Sequence, residues 1–170
     1  MKKVWYAISS ICVAVIWLGF FLPWVSVDTA RMGFITKAIS GKELTNILIS
    51  GIDVPFMANS NNAALLESVA KIFNPQISGI GVKSLLIFIV PLLPTLLFCM
   101  LIFLRRVRWL FIANAVLFLG AASFITYKLK TTQLDKLVIK VDILYGLWMI
   151  VLGYFIFGLA SGLCALFFKK

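Results

Sequence analysis

Four apolar runs, each long enough to cross a bilayer and each free of charged side chains, constrain this chain more than anything else in it. Val4 to Leu22 holds 19 residues, Ser84 to Leu104 holds 21, Trp109 to Tyr127 holds 19, and 143–168 is equally uncharged. A hydrocarbon core about 30 Å thick takes roughly 20 helical residues. In lipid every backbone amide and carbonyl must be satisfied internally, and within a single run only a helix does that. The sequence therefore predicts an all-α membrane protein, a four-transmembrane-helix bundle with spans at about 4–22, 84–104, 109–127 and 143–168. A water-soluble alternative fails on composition. Hydrophobic residues make up 62% and charged residues 13%, against roughly 45–50% and about 25% in ordinary globular domains.

The first run follows a basic start, Met1-Lys2-Lys3, as a secretory leader would. Leader cores run about 7–15 residues and end in small residues. This one ends Phe20-Phe21-Leu22-Pro23-Trp24, so it is expected to stay as the first helix, closed by Pro23.

Residues 23–83 form the longest polar stretch and are expected to be a small structured extracytoplasmic loop domain between helices 1 and 2. Val25-Ser26-Val27 and Phe34-Ile35-Thr36 read as short strands. Ser40-Gly41-Lys42-Glu43 is a capping-box pattern, followed at helical spacing by Leu44, Ile47 and Leu48. Gly51 and Pro55 interrupt the chain. Asn61 or Asn62 would cap a helix from Ala63 to Phe73, with Leu65, Leu66, Val69, Ile72 and Phe73 on one face, stopped by Asn74-Pro75. Thr132-Gln133-Leu134-Asp135 resembles a helix start, and Leu134, Leu137, Val138 and Val141 continue at helical spacing. Residues 133–142 are thus expected to extend helix 4 out of the membrane.

Charge gives the orientation. Both termini of a four-span chain lie on one side, which then holds Lys2, Lys3, Arg105, Arg106, Arg108, Lys169 and Lys170 and no acid. The remaining nine basic residues share the other side with all six acids. Basic residues in short loops stay cytoplasmic, so both termini are expected inside, and the loop periplasmic or extracellular. The net charge of +10 is spread over the ends of several spans, whereas a nucleic-acid site concentrates it on one face; no nucleic-acid partner is expected.

Side chains with a structural assignment are as follows. Pro91 and Pro94 should kink the second span, as a hinge, a cavity wall or plain bundle shaping. Asn114 should seek an interhelical hydrogen bond, and Gly120, Gly153, Gly158 and Gly162 should permit close helix packing. Gly146 and Gly153 lie a heptad apart, and Gly158 and Gly162 form a G-x-x-x-G pair. Trp5, Trp24, Trp109, Tyr127 and Tyr145 stand at span ends as interface anchors. Cys12, Cys99 and Cys164 lie inside spans as small buried hydrophobes.

No histidine is present, and no span carries the ionisable side chain that marks ion paths and proton relays. The acids Asp28, Glu43, Asp53 and Glu67 read as caps and solvated surface before they read as an acid–base set. No catalytic, cofactor-binding or metal-binding residue is expected.

The layout is similar to that of claudin-like membrane proteins: four spans, a large first outer loop, a short second one and both ends inside. Trp24 stands alone, without the second tryptophan and two cysteines of the claudin loop, so the resemblance implies topology and no loop disulfide. Leu22-Pro23-Trp24 and Ser40-Gly41-x-Glu43-Leu44 also resemble pieces of small bacterial four-span inner-membrane proteins. The expected role is a non-enzymatic accessory or structural subunit of a larger membrane assembly. Its expected partners are the lipid bilayer and other membrane subunits or a copy of itself. A small oligomeric channel or a lipid-handling protein is the alternative.

Overall fold

The computed structural model describes residues 2–28, 46–60, 63–73, 79, 81–103, 108–131 and 140–167. Four helices in it are long and apolar enough to cross a membrane. They are α1 (Lys2–Phe21), α4 (Ile89–Phe103, preceded by a 3-10 segment Val82–Phe88), α5 (Arg108–Thr131) and α6 (Tyr145–Phe167). Between α1 and α4 come strands β1 (Pro23–Asp28) and β2 (Asn46–Ser50) and the short helices α2 (Asp53–Ala58) and α3 (Ala63–Phe73); β3 (Lys140–Ile143) leads into α6.

The fold is therefore not purely helical. β1 is the middle strand of a three-stranded antiparallel sheet, flanked by β2 and β3. Val27 faces Ile47 on one neighbour and Val141 on the other, and Ser26 faces Leu48 and Asp142. Successive side chains alternate between faces. Val25, Val27, Ile49 and Val141 form a buried cluster with Val54 and Met57 of α2, while Leu48 and Asp142 are exposed.

Two helical expectations give way to strands here. Leu44, Ile47 and Leu48 fit a helical spacing, but Ile47 and Ile49 also fit a period of two, and a short apolar run carries both patterns. Pairing with β1 decides for the strand. In the same way Val141 and Ile143 pair with β1 instead of extending helix 4, which begins at Tyr145. Residues 133–139 lie outside the described residues, as do Phe34 to Thr36, the Ser40 to Glu43 pattern, the Asn61/Asn62 cap and Asn74-Pro75. Pro55 sits in the first turn of α2, where its missing N–H is one that the helix leaves unbonded anyway. The Ala63–Phe73 helix has the expected bounds, and Leu66 is buried on its inner face.

The packing order of the spans is α4, α1, α6, α5. α6 is the central element, and its glycines serve two different neighbours. Gly146 and Gly153 face α1: a Cβ on Gly146 would lie 2.6 Å from the backbone oxygens of Leu22 and Pro23, and one on Gly153 2.6 Å from the Ile16 side chain. Gly158 and Gly162 face α5, against Leu119 and Ala115. Gly158 is thus tightly packed within the chain, whereas Gly162 stays half-buried with only an ordinary contact to Ala115. Gly120 faces open space, with nothing within 4 Å of an added Cβ. It is not a packing glycine, because the buried face of α5 runs through Phe118 and Ala122 instead.

The end of α1 is closed by the sheet. Gly51 donates its N–H to the Phe20 carbonyl at 3.0 Å, and the Trp24 indole N–H donates to the Gly19 carbonyl at 2.8 Å. These satisfy carbonyls that a helix C-terminus leaves free. Trp24 is consequently half-buried at the helix–sheet junction rather than an open anchor. Trp5 is also no surface anchor: it is 5% exposed and packs edge-on against Phe111 among Leu101 and Ala165. Trp109, Tyr127 and Tyr145 are exposed at helix ends.

Gly146→Ala should destabilise the protein by about 1–3 kcal/mol, the usual cost of overpacking, because the obstructing atoms are backbone oxygens. Gly120→Ala should gain about 0.5–1 kcal/mol from helix propensity. Thermal unfolding of both variants in one detergent checks the pair, and the reverse order would refute the packing assignment.

Candidate functional site

The bundle interior contains hydroxyl, indole and amide groups, and lipid offers none of them a partner. Their geometry shows what the interior can do.

The first group surrounds the prolines. Pro91 occupies the first turn of α4, two residues after the winding changes from 3-10 to α at Ile89. Pro94 lies inside the helix, so the Val90 carbonyl four residues earlier loses its normal partner. Tyr154 of α6 supplies the replacement, donating its Oη–H to the Val90 carbonyl at 2.6 Å. Thr95 donates its hydroxyl to the Pro91 carbonyl at 2.7 Å and accepts from the Trp17 indole N–H of α1 at 3.0 Å. Pro91 and Pro94 are both buried. Pro94 thus frees a backbone acceptor that α6 satisfies, and Thr95 offers its hydroxyl oxygen to a donor from α1.

The second group lies nearer the chain termini. Asn114 of α5 donates its Nδ2–H to Ser161 Oγ of α6 at 2.7 Å, the interhelical bond expected of it. Ser9 of α1 is fully buried. Each of the three occupies the same place along its own helix. Ser9 lies between Trp5 and Cys12, Asn114 between Phe111 and Phe118, and Ser161 between Phe157 and Ala165. In each helix the two flanking residues belong to different apolar clusters. A thin polar layer therefore separates two apolar ones. Trp5 Nε1, Ser9 Oγ and Asn114 Oδ1 are buried here without a hydrogen-bond partner.

Outside the spans, Asp53 accepts from the backbone N–H and hydroxyl of Ser50 at 2.9 and 2.6 Å, joining β2 to α2. Glu67 pairs with Lys71 at 2.8 Å one helical turn away. Both acids have local structural partners, and no three of His, Cys, Asp and Glu converge among the described residues. Asp28 lies on β1; Glu43 is outside the described residues. Cys12 is buried and Cys164 partly so, but Cys99 is exposed on α4, contrary to the expectation that all three are buried.

The groups that connect the helices were not singled out by pattern: Trp17, Thr95, Tyr154 and Ser161. A usable signal exists. A proline inside a span marks the carbonyl four residues back as an acceptor, and each hydroxyl in an apolar run needs a partner in another turn or helix. No protein-family model, curated protein or solved structure matches this chain, so the geometry alone carries the functional reading.

Tyr154→Phe should cost roughly 0.6–1.7 kcal/mol, the range measured for hydrogen bonds between membrane helices. The loss should largely vanish in a Pro94→Ala background, where residue 94 regains the amide that Val90 needs. A double-mutant cycle on thermal or denaturant unfolding reads the coupling. An equal loss in both backgrounds would show that Tyr154 does not replace the missing amide.

Proposed function

We propose that this chain is a non-catalytic accessory or structural subunit of a larger assembly in the bacterial cytoplasmic membrane. Both termini are cytoplasmic, and the sheet with its short helices stands on the other face. The observation that carries this reading is how the interior polar groups are used. The bonds Trp17–Thr95, Asn114–Ser161 and Tyr154–Val90 each run from one helix to another, the last to a proline-freed carbonyl. They hold a shape, and Asp53 and Glu67 do the same outside the spans.

The external architecture supports the same reading. β1 continues α1 and β3 leads into α6, so the sheet is an extension of two closely packed spans. A surface built this way keeps a fixed orientation to the bilayer, as a scaffold for partners needs. A loop sheet above four spans is also in keeping with the claudin-like topology, here held by β-ladder bonds without loop cysteines. Along α4, Leu92, Leu96, Met100 and Phe103 are exposed, which leaves helix surface for lipid or for neighbouring subunits.

The native mass of the full chain, extracted gently with its companions, tests the proposal. Unrelated membrane subunits in fixed stoichiometry are the expected result. A homo-oligomer that passes ions across liposomes on its own would overturn it in favour of a channel.

A further inference from the structure

Two surface grooves lie on the seam between α5 and α6. One, of about 350 Å³, runs from Arg108 past Ala115 to Leu119 on α5, against Leu159 to Leu166 on α6. The other, of about 550 Å³, runs from Ala122 past Ser123 to Lys130, against Trp148 to Phe155. Their lining residues recur every three or four positions on both helices, the spacing of one helical face. The grooves therefore lie end to end and form a furrow along the whole helix pair. Small residues keep it deep: a Cβ on Gly162 would still be 3.6 Å from Ala115, and Ala122 and Ser123 serve the other half.

Each mouth carries a cation. Arg108 and Lys130 are exposed in the first and last turns of α5. At 1.5 Å of rise per residue they stand about 33 Å apart along the axis, which matches a hydrocarbon core of about 30 Å. Both charges therefore fall at headgroup depth, one per leaflet. Tyr127 and Trp148 line the Lys130 mouth, and amphipathic aromatics favour that depth.

We infer that the α5/α6 furrow binds anionic phospholipid, one molecule in each leaflet, with an acyl chain along the furrow and its phosphate at Arg108 or Lys130. Charge complementarity selects this occupant. A partner helix would have to supply an acid at both ends, 33 Å apart by the same helical rise, whereas a bilayer presents phosphates at both depths. A net negative headgroup is preferred over a zwitterionic one because each mouth offers a cation exposed at the surface. This site is independent of the subunit role proposed above.

The test is native mass spectrometry of the full chain released from bilayers of equal phosphatidylglycerol and phosphatidylcholine. The expected result is up to two retained lipids per chain, enriched in phosphatidylglycerol. Lys130→Gln and Arg108→Gln should each weaken that enrichment about fivefold at one site, the effect of one cation near an anionic surface. Ser123→Trp, a change at an exposed position, should displace one lipid whatever its headgroup. Lys71→Gln, on α3, should change nothing. Unchanged melting temperatures would show that the variants fold. Equal retention of the two lipids, or enrichment that survives the double Arg108/Lys130 variant, would overturn the inference. So would a lipid-independent dimer abolished by Ser123→Trp, which would make the occupant a second copy.

Discussion

The close approach of α1 and α6 at one end is the constraint on which the rest of the structure depends. Packed helices keep their axes about 8–10 Å apart, while paired strands sit about 4.8 Å apart. A chain that turns a helix pair into a strand pair within one or two residues must bring its backbones together at the junction. Gly146 permits this, since the Leu22 and Pro23 oxygens occupy the place of its missing Cβ. Gly19 contributes from the other side, facing the Gly146 carbonyl. From there Leu144 donates to the Trp24 carbonyl at 2.8 Å and the β1–β3 ladder begins. Gly51, pressed against Phe20 and Trp24, lets β2 close over the same point.

With that junction set, the remaining polar groups follow a single rule. A lipid solvent makes each unsatisfied backbone group expensive, so an interruption in one helix requires a donor from another. Pro94 interrupts α4 and Tyr154 answers from α6. Thr95 and Trp17 attach the same turn to α1. Nearer the termini Asn114 and Ser161 tie α5 to α6. Pro94 therefore marks a site where a freed backbone acceptor is met by a neighbouring helix.

Much of this was legible in the residues. Span number and approximate bounds follow from charge-free length, the Ala63–Phe73 helix from its apolar face, the β1 strand from Val25 and Val27, and the Asn114 bond from the scarcity of partners in lipid. Other features were misread for physical reasons. Trp5 and Trp24 stand where interface anchors stand, but a span end near a neighbouring helix or a sheet is not a free surface. Gly120 has the composition of a packing site and the wrong angular position. β2 and β3 carry apolar residues that suit either period.

What the sequence alone determined is the solvent: runs of about 20 uncharged residues have no stable place but a bilayer, and there the backbone must be helical. It also determined which atoms would lack partners, since a proline or a buried hydroxyl announces its own need. What only the tertiary structure decided is who meets that need and which face of each helix is inside. Helical periodicity gives relative angles within one helix but not between helices. Strand or helix at 46–50 and 140–143 depended on β1 lying alongside, because a ladder bond needs a second strand, and nothing local to either segment specifies its neighbour.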